Sequence, residues 1–215
     1  MNGAASLVLG PTGLVGRSLS TLLREAGGPL TLLTRRPTGL AGAAVVERLV
    51  DFSRLDDVAE HLKADDLYCC LGTTLRKAGS PEAFRAVDLD LPLALCARAA
   101  ARGVSRLFLV TSSGADAGSR FLYSRVKGEL EEAVAKLPFK AVHIARPSLL
   151  LGERGESRPA EGLAQAVLPF LSPLIPARYR PIRATTVAKA LVALSKTSEA
   201  GVHFHESDAL ASLGA

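Results

Sequence analysis

The sequence predicts an α/β protein with a doubly wound, mostly parallel sheet and helices on both faces. Three observations predict it. Short apolar runs alternate with longer segments of helical period, as in repeated βαβ units. A glycine-spaced turn joins the first run to the first helix. Glycine or proline then closes several of the segments, which marks where elements end.

The elements follow in order. Ser6–Leu9 reads as a first strand and Leu14–Glu25 as a first helix, ended by Gly27-Gly28-Pro29. Leu30–Leu33 is a second strand and Val45–Val50 a third, with Asp51 just past its end. A short helix over Asp56–Leu62 leads to a fourth strand at Leu67–Leu71. Pro92–Arg102 is helical and Arg106–Val110 is the fifth strand. Tyr123 to Lys136 is a helix ended by Leu137-Pro138, and Ala141–Ala145 is the sixth strand. After Arg146-Pro147 the pattern loosens, punctuated by Pro159, Pro169, Pro173, Pro176 and Pro181. A helix over Thr186–Leu194, a strand at Val202–His205 and a short helical tail capped by Ser207 or Asp208 follow. One domain over 1–215 is expected, with about 148–215 a small C-terminal subregion on the substrate side.

Composition sets bounds. With 215 residues, 48% of them hydrophobic and 22% charged, the chain can bury a core, and no apolar run is long enough for a membrane span. The first residues carry no Lys or Arg and meet Gly10-Pro11 early, so a signal peptide is not expected. Three cysteines, two of them adjacent on an apolar strand, argue for a reducing compartment, and the expected location is cytoplasmic. A net charge of +5 favours anionic partners, which a phosphate-bearing cofactor satisfies. The Lys/Arg density and interleaved aromatics of a nucleic-acid binder are lacking.

Gly10-Pro11-Thr12-Gly13-Leu14-Val15-Gly16 lies between the first strand and the first helix. In a Rossmann-type dinucleotide site, Gly10 allows the tight turn, Gly13 the approach of a pyrophosphate and Gly16 close helix–strand packing. The helix N-terminus offers N–H groups and the positive end of its dipole. The spacing is Gly-x-x-Gly-x-x-Gly, and Pro11 removes one donor. At the end of the second strand stand Thr34-Arg35-Arg36-Pro37, with no carboxylate to take a ribose 2′-hydroxyl. Two guanidinium groups suit a 2′-phosphate and adenine stacking, so the expected cofactor is NADP(H). Asp51 is expected either at the adenine edge or as a turn cap, and Leu71-Gly72 where backbone passes close to the cofactor.

Tyr123-Ser124-Arg125-Val126-Lys127 carries Tyr-x-x-x-Lys at the head of a helix, which puts both side chains on one face. A free tyrosine, with a pKa near roughly 10, is a poor proton donor or acceptor at neutral pH. A neighbouring ammonium favours the phenolate and fits the residue for exchange with a carbonyl or alcohol. Thr111-Ser112-Ser113-Gly114, at the end of the fifth strand, should supply a hydroxyl to polarise the substrate oxygen. Ser112 and Ser113 are both candidates, with Ser112 preferred.

Several short strings then resemble a known group, the atypical short-chain dehydrogenase/reductases close to the Tat-interacting protein oxidoreductase family. They are Cys69-Cys70-Leu71-Gly72-Thr73-Thr74 with Lys77-Ala78-Gly79, Ser113-Gly114-Ala115-Asp116, Phe121-Leu122-Tyr123 with Val126-Lys127-Gly128-Glu129, Arg146-Pro147, and Glu156-Ser157-Arg158-Pro159. The resemblance runs nearly end to end and implies an NADPH-binding Rossmann fold. Carried onto matching positions, it implies Thr12, Gly13, Leu14, Val15, Arg35, Arg36, Leu71, Gly72, Tyr123, Lys127, Leu150 and Arg158 as cofactor neighbours. Some members of the family carry lysine where Ser113 stands, which also favours Ser112.

The expected function is an NADP(H)-dependent oxidoreductase acting on a small carbonyl or alcohol. The alternatives are a non-enzymatic NADPH-binding regulator with a protein partner, and a nucleotide-sugar epimerase or dehydratase, against which the short C-terminal part counts. Charged segments at 153–158 and 178–181 are candidates for lining the site. His203 and His205 share a strand face, but the sequence offers no further ligand, so no metal is expected. Cys69-Cys70 is read as buried packing.

Overall fold

The computed structural model describes residues 4–152 and 176–215. Seven parallel strands form one sheet: β1 (Ser6–Leu9), β2 (Leu30–Thr34), β3 (Val45–Leu49), β4 (Asp66–Cys69), β5 (Arg106–Val110), β6 (Ala141–Arg146) and β9 (Gly201–Glu206). Their order is β3-β2-β1-β4-β5-β6-β9. Two short strands, β7 (Leu150–Leu151) and β8 (Ile182–Arg183), pair in a second, two-stranded sheet. The central strands read as continuous apolar runs because helices bury both faces. Leu7, Leu9, Leu67, Leu107 and Leu109 point into one core, which also takes in Leu95, Val126 and Leu130. Val8, Leu32, Tyr68 and Phe108 point into the other, with Leu19, Val187 and Leu191.

The helices supply those residues. The first core draws on α5 (Leu91–Ala101) and α6 (Leu122–Val134), the second on α1 (Leu14–Glu25) and on α7 (Ala184–Leu194), which packs against α1. Small helices α2 (Leu55–Ala59), α3 (Leu75–Ala78), α4 (Pro81–Arg85) and α8 (Ser207–Leu213) complete the set described. The chain steps outward from β1 to β2 and β3, then crosses back to place β4 on the other side of β1. That reversal opens a crevice beyond the carboxyl ends of β1 and β4, where open α/β sheets bind ligands.

Two expectations are corrected. The stretch from Thr73 to Leu91 has no element in the sequence reading, yet it holds α3, α4 and a π turn over Ala86–Asp90 that runs straight into α5. Thr74 and Ser80 cap the two short helices by accepting from the N–H groups of Lys77 and Ala83. Pro92, expected in a helix, lies inside a continuous helical run. The widened turn just before it accommodates a residue that lacks an N–H and crowds the preceding turn. At the C-terminus, neither Ser207 nor Asp208 caps the last helix. Ser207 is its buried first residue, and its hydroxyl accepts the Ser148 N–H at 2.7 Å.

Candidate active site

The glycine loop is built by close backbone contact. Gly10 has φ +77°, and a Cβ there would lie 2.8 Å from the Cys70 carbonyl oxygen. A Cβ at Gly16 would lie 2.1 Å from the Gly10 carbonyl oxygen, so α1 approaches the turn only because residue 16 has no side chain. Gly13 is the N-cap of α1, no side chain caps the first turn, and no acidic residue lies in it. The turn thus presents backbone N–H groups and a positive dipole end toward the crevice, a cradle that fits the phosphates of a dinucleotide.

A cleft of about 950 Å³ opens beside this cradle. Thr12, Gly13, Leu14, Val15 and Arg36 line it, as do Leu71, Gly72, Tyr123 and Lys127. The remaining sequence-proposed residues lie elsewhere. Gly10 and Gly16 support the loop from beneath. Arg35 is exposed and off the lining, because successive residues leaving β2 turn to opposite sides. Asp51 is exposed and accepts from both the N–H and the hydroxyl of Ser53, which holds its carboxyl below the usual range and makes it a turn cap. Leu150 packs into the second core while Leu151 lines the cleft, again by alternation along a strand. Arg158 and the charged segment 153–158 lie outside the described residues.

Tyr123 and Lys127 differ in setting. Tyr123 is 37% exposed and its ring stacks on Phe84 of α4, with centroids 5.6 Å apart. Lys127 is buried, and its Nζ lies 2.7 Å from Oδ1 of Asp88, which is fully buried on the π turn. The other Asp88 oxygen accepts the Thr73 N–H at 2.8 Å. Gly72 makes room for this pair, since a Cβ there would sit 3.2 Å from Asp88 Oδ1 and 3.5 Å from Lys127 Nζ. Gly128, the next residue of α6, allows the helix to touch the loop after β5. A Cβ at that position would meet the Ala117 nitrogen at 2.1 Å.

The hydroxyls at the end of β5 are divided. Thr111 lines the cleft and donates to the buried Glu131, which also takes the Arg146 guanidinium in a two-pronged contact. Ser112 Oγ is buried and has no hydrogen-bond partner among the described residues. Ser113 donates its N–H to the Pro147 carbonyl. Neither serine is on the cleft lining.

Sequence reasoning missed Arg17, Asp88 and Arg183, all of which line the cleft. Arg17 sits three residues after Leu14 on the same helix face, a signal that was available. Asp88 was hidden because nothing in a sequence announces a π turn. Of the cysteines, Cys69 and Cys96 are buried and hydrogen-bonded to one another, whereas Cys70 lines the cleft with its thiol pushed up by burial. His203 and His205 do share a face. His143 of β6 joins them, with its Nδ1 3.2 Å from His205 Nε2, and among the described residues no group of His, Cys, Asp and Glu is arranged to hold a metal.

A doubly wound parallel sheet with a glycine cradle at its switch point defines a Rossmann-type dinucleotide-binding protein, and residues 6–168 match the NAD dependent epimerase/dehydratase family. The chain belongs to that family, whose cofactor class is a nicotinamide dinucleotide. Within it the chain is an atypical short-chain dehydrogenase/reductase similar to Protein HTATIP2 of Rattus norvegicus, with 40% identity over 174 residues, 77% of this chain and 70% of the relative. Protein FMP52, mitochondrial, of Saccharomyces cerevisiae is 37% identical over 165 residues, covering 74% of this chain and 69% of that one. In fold it is similar to MoeE5 in complex with UDP-glucose and NAD, with a TM-score of 0.73 at 17% identity over 94% of this chain and 75% of MoeE5. The cytoplasmic expectation does not stand, since the fungal relatives are named as mitochondrial proteins. Unpaired cysteines indicate a reducing environment, and that property does not distinguish the cytoplasm from the inside of an organelle.

Proposed function

We propose that this protein is an NADP(H)-dependent oxidoreductase of the short-chain dehydrogenase type that acts on a small carbonyl or alcohol. The observation that carries the reading is the single cleft that joins the phosphate cradle and Arg36 to Tyr123 and Lys127. The N–H groups at the head of α1 would hold the diphosphate. Arg36, with Arg17 also on the lining, would hold the 2′-phosphate through charge-assisted hydrogen bonds. Lys127 would hold the nicotinamide ribose. A reduced nicotinamide, when bound, supplies the hydride.

The protein's own part is the proton. Tyr123 presents its hydroxyl at the cleft and gives its proton to the carbonyl oxygen, while the Lys127 ammonium on the same helix face steadies the phenolate left behind. Ser112 and Ser113 both lie off the cleft lining, and the hydroxyl of Thr111, which does line it, is given to Glu131, so the proton transfer rests on Tyr123 and Lys127.

A panel of small aldehydes and ketones incubated with NADPH, followed by loss of nicotinamide fluorescence, tests the reading. Turnover should fall by about 10²–10⁴ in Tyr123→Phe with folding and NADPH binding retained. Undiminished turnover in that variant removes Tyr123 from the mechanism. NADPH binding without turnover of any carbonyl would favour a cofactor-controlled regulator. Conversion of a nucleotide-sugar would favour the epimerase reading.

A further inference from the structure

We propose that Asp88 is a positioning residue that offsets the Lys127 ammonium and so weakens its pull on the Tyr123 hydroxyl. This inference rests on Tyr123 and Lys127 being the proton-transfer pair.

Asp88 is held by several independent features. Asp88 lies within the π turn over Ala86–Asp90 and lines the cleft. Pro92, just beyond, lacks the N–H that a tight turn would need. The Thr73 N–H fixes one carboxylate oxygen at 2.8 Å, and the Lys127 Nζ lies 2.7 Å from the other. Gly72 leaves the space the pair occupies. Both side chains are almost wholly buried, so the carboxylate acts on the ammonium with little screening by water.

Electrostatics gives the consequence for Tyr123. A lone ammonium one helical turn away favours the phenolate strongly. An ammonium in contact with a carboxylate is seen from the same distance as a dipole, and favours it far less. Arg17 and Arg36 also lie on the cleft lining. Cys69 of β4 feels both members of the pair and carries a buried thiol. Glu131, the next turn of α6, is taken up by Arg146 and Thr111. Lys77 and Arg183 lie on the cleft lining. Tyr123 would give its phenolic proton to the oxygen of a bound carbonyl, a reduced nicotinamide would supply the hydride to the carbonyl carbon, and a proton from solvent would restore the phenol.

The chain has three tyrosines and no tryptophan, so phenolate absorbance reads tyrosine ionisation directly. Tyr68 is buried and pushed up to about 12, out of the working range. Subtracting the titration of Tyr123→Phe isolates Tyr123, and the same subtraction is made in each variant background. Asp88→Asn should move the Tyr123 midpoint down by about one pH unit, that is about tenfold more phenolate at a given pH below the midpoint. Asp88→Glu, which keeps the charge, should restore it. Lys127→Gln should move it up. If Asp88→Asn does not fold, Asp88→Asn/Lys127→Gln set against Lys127→Gln alone reads the same downward shift. An unchanged midpoint in Asp88→Asn, or an equal shift in Asp88→Glu, overturns the proposal. If Lys127→Gln does raise the midpoint, the Tyr123–Lys127 pair survives that failure, and if it does not, both fall.

Discussion

Two buried ion pairs sit at opposite ends of the same sheet, and their construction differs. At the amino end, Asp66 opens β4 and Arg106 opens β5, and they meet through two hydrogen bonds of 2.6 and 2.7 Å. The remaining Arg106 nitrogen donates to the Ser195 and Thr197 carbonyls beyond α7, so all three guanidinium nitrogens are engaged. At the carboxyl end, Asp88 and Lys127 touch at a single point beside a cleft that both of them line. The first pair closes the structure, joining two strands and a helix end. The second faces the space where chemistry is proposed. Burial of a charge pair alone therefore says little about function, whereas its strand end and the number of its partners say more.

The largest expected effect is at the structural end. Arg106→Ala leaves Asp66 buried and unpaired, and burial already raises that carboxyl above its usual range. The loss should be about 3–5 kcal/mol of unfolding free energy, read by chemical denaturation. NADPH affinity of the folded fraction should be unchanged, and a loss of affinity would erase the distinction between the two ends.

The next effect is one of pH. Arg106 lies over the Phe108 ring, and Phe108 stacks in turn on the buried His143. Burial, with His205 and His203 adding to it, pushes His143 down to about 4 from 6.5. The folded state thus binds fewer protons than the unfolded one between those values. The stabilisation present above pH 6.5 drains away as pH falls toward 4, by at most about 3 kcal/mol. His205 is lowered by burial too and acts in the same direction. Denaturant midpoints measured across that interval should fall, and His143→Phe should flatten the curve.

The smallest expected effect is at the cleft. Lys127→Gln should cost about 1–2 kcal/mol, less than Arg106→Ala, because the Gln amide can still donate to Asp88, which also keeps the Thr73 N–H. A cost equal to that of Arg106→Ala would make both pairs structural.

The fold was largely legible in the sequence. Strands buried on both faces show as unbroken apolar runs, and Leu14–Glu25 and Arg106–Val110 coincide with the elements found. The glycine cradle was legible because only glycine permits those backbone contacts. The side chains of the cleft were less so. Arg36 and Leu151, rather than Arg35 and Leu150, line it, and that choice depends on how a chain leaves a strand. Asp88 was illegible because a π turn has no sequence signature and its partner Lys127 is 39 positions away in a different helix (127 minus 88).

The central claim is that the carboxyl end of the sheet holds a phosphorylated dinucleotide. Titration of the protein with NADPH and with NADH, followed by nicotinamide fluorescence, tests it most directly, since no tryptophan contributes a background. The account predicts NADPH binding well tighter than NADH. Arg36→Ala should weaken NADPH by about 1.5–3 kcal/mol and leave NADH nearly untouched, with Arg35→Ala having the smaller effect. Equal affinity for the two dinucleotides, or binding of neither, would contradict it.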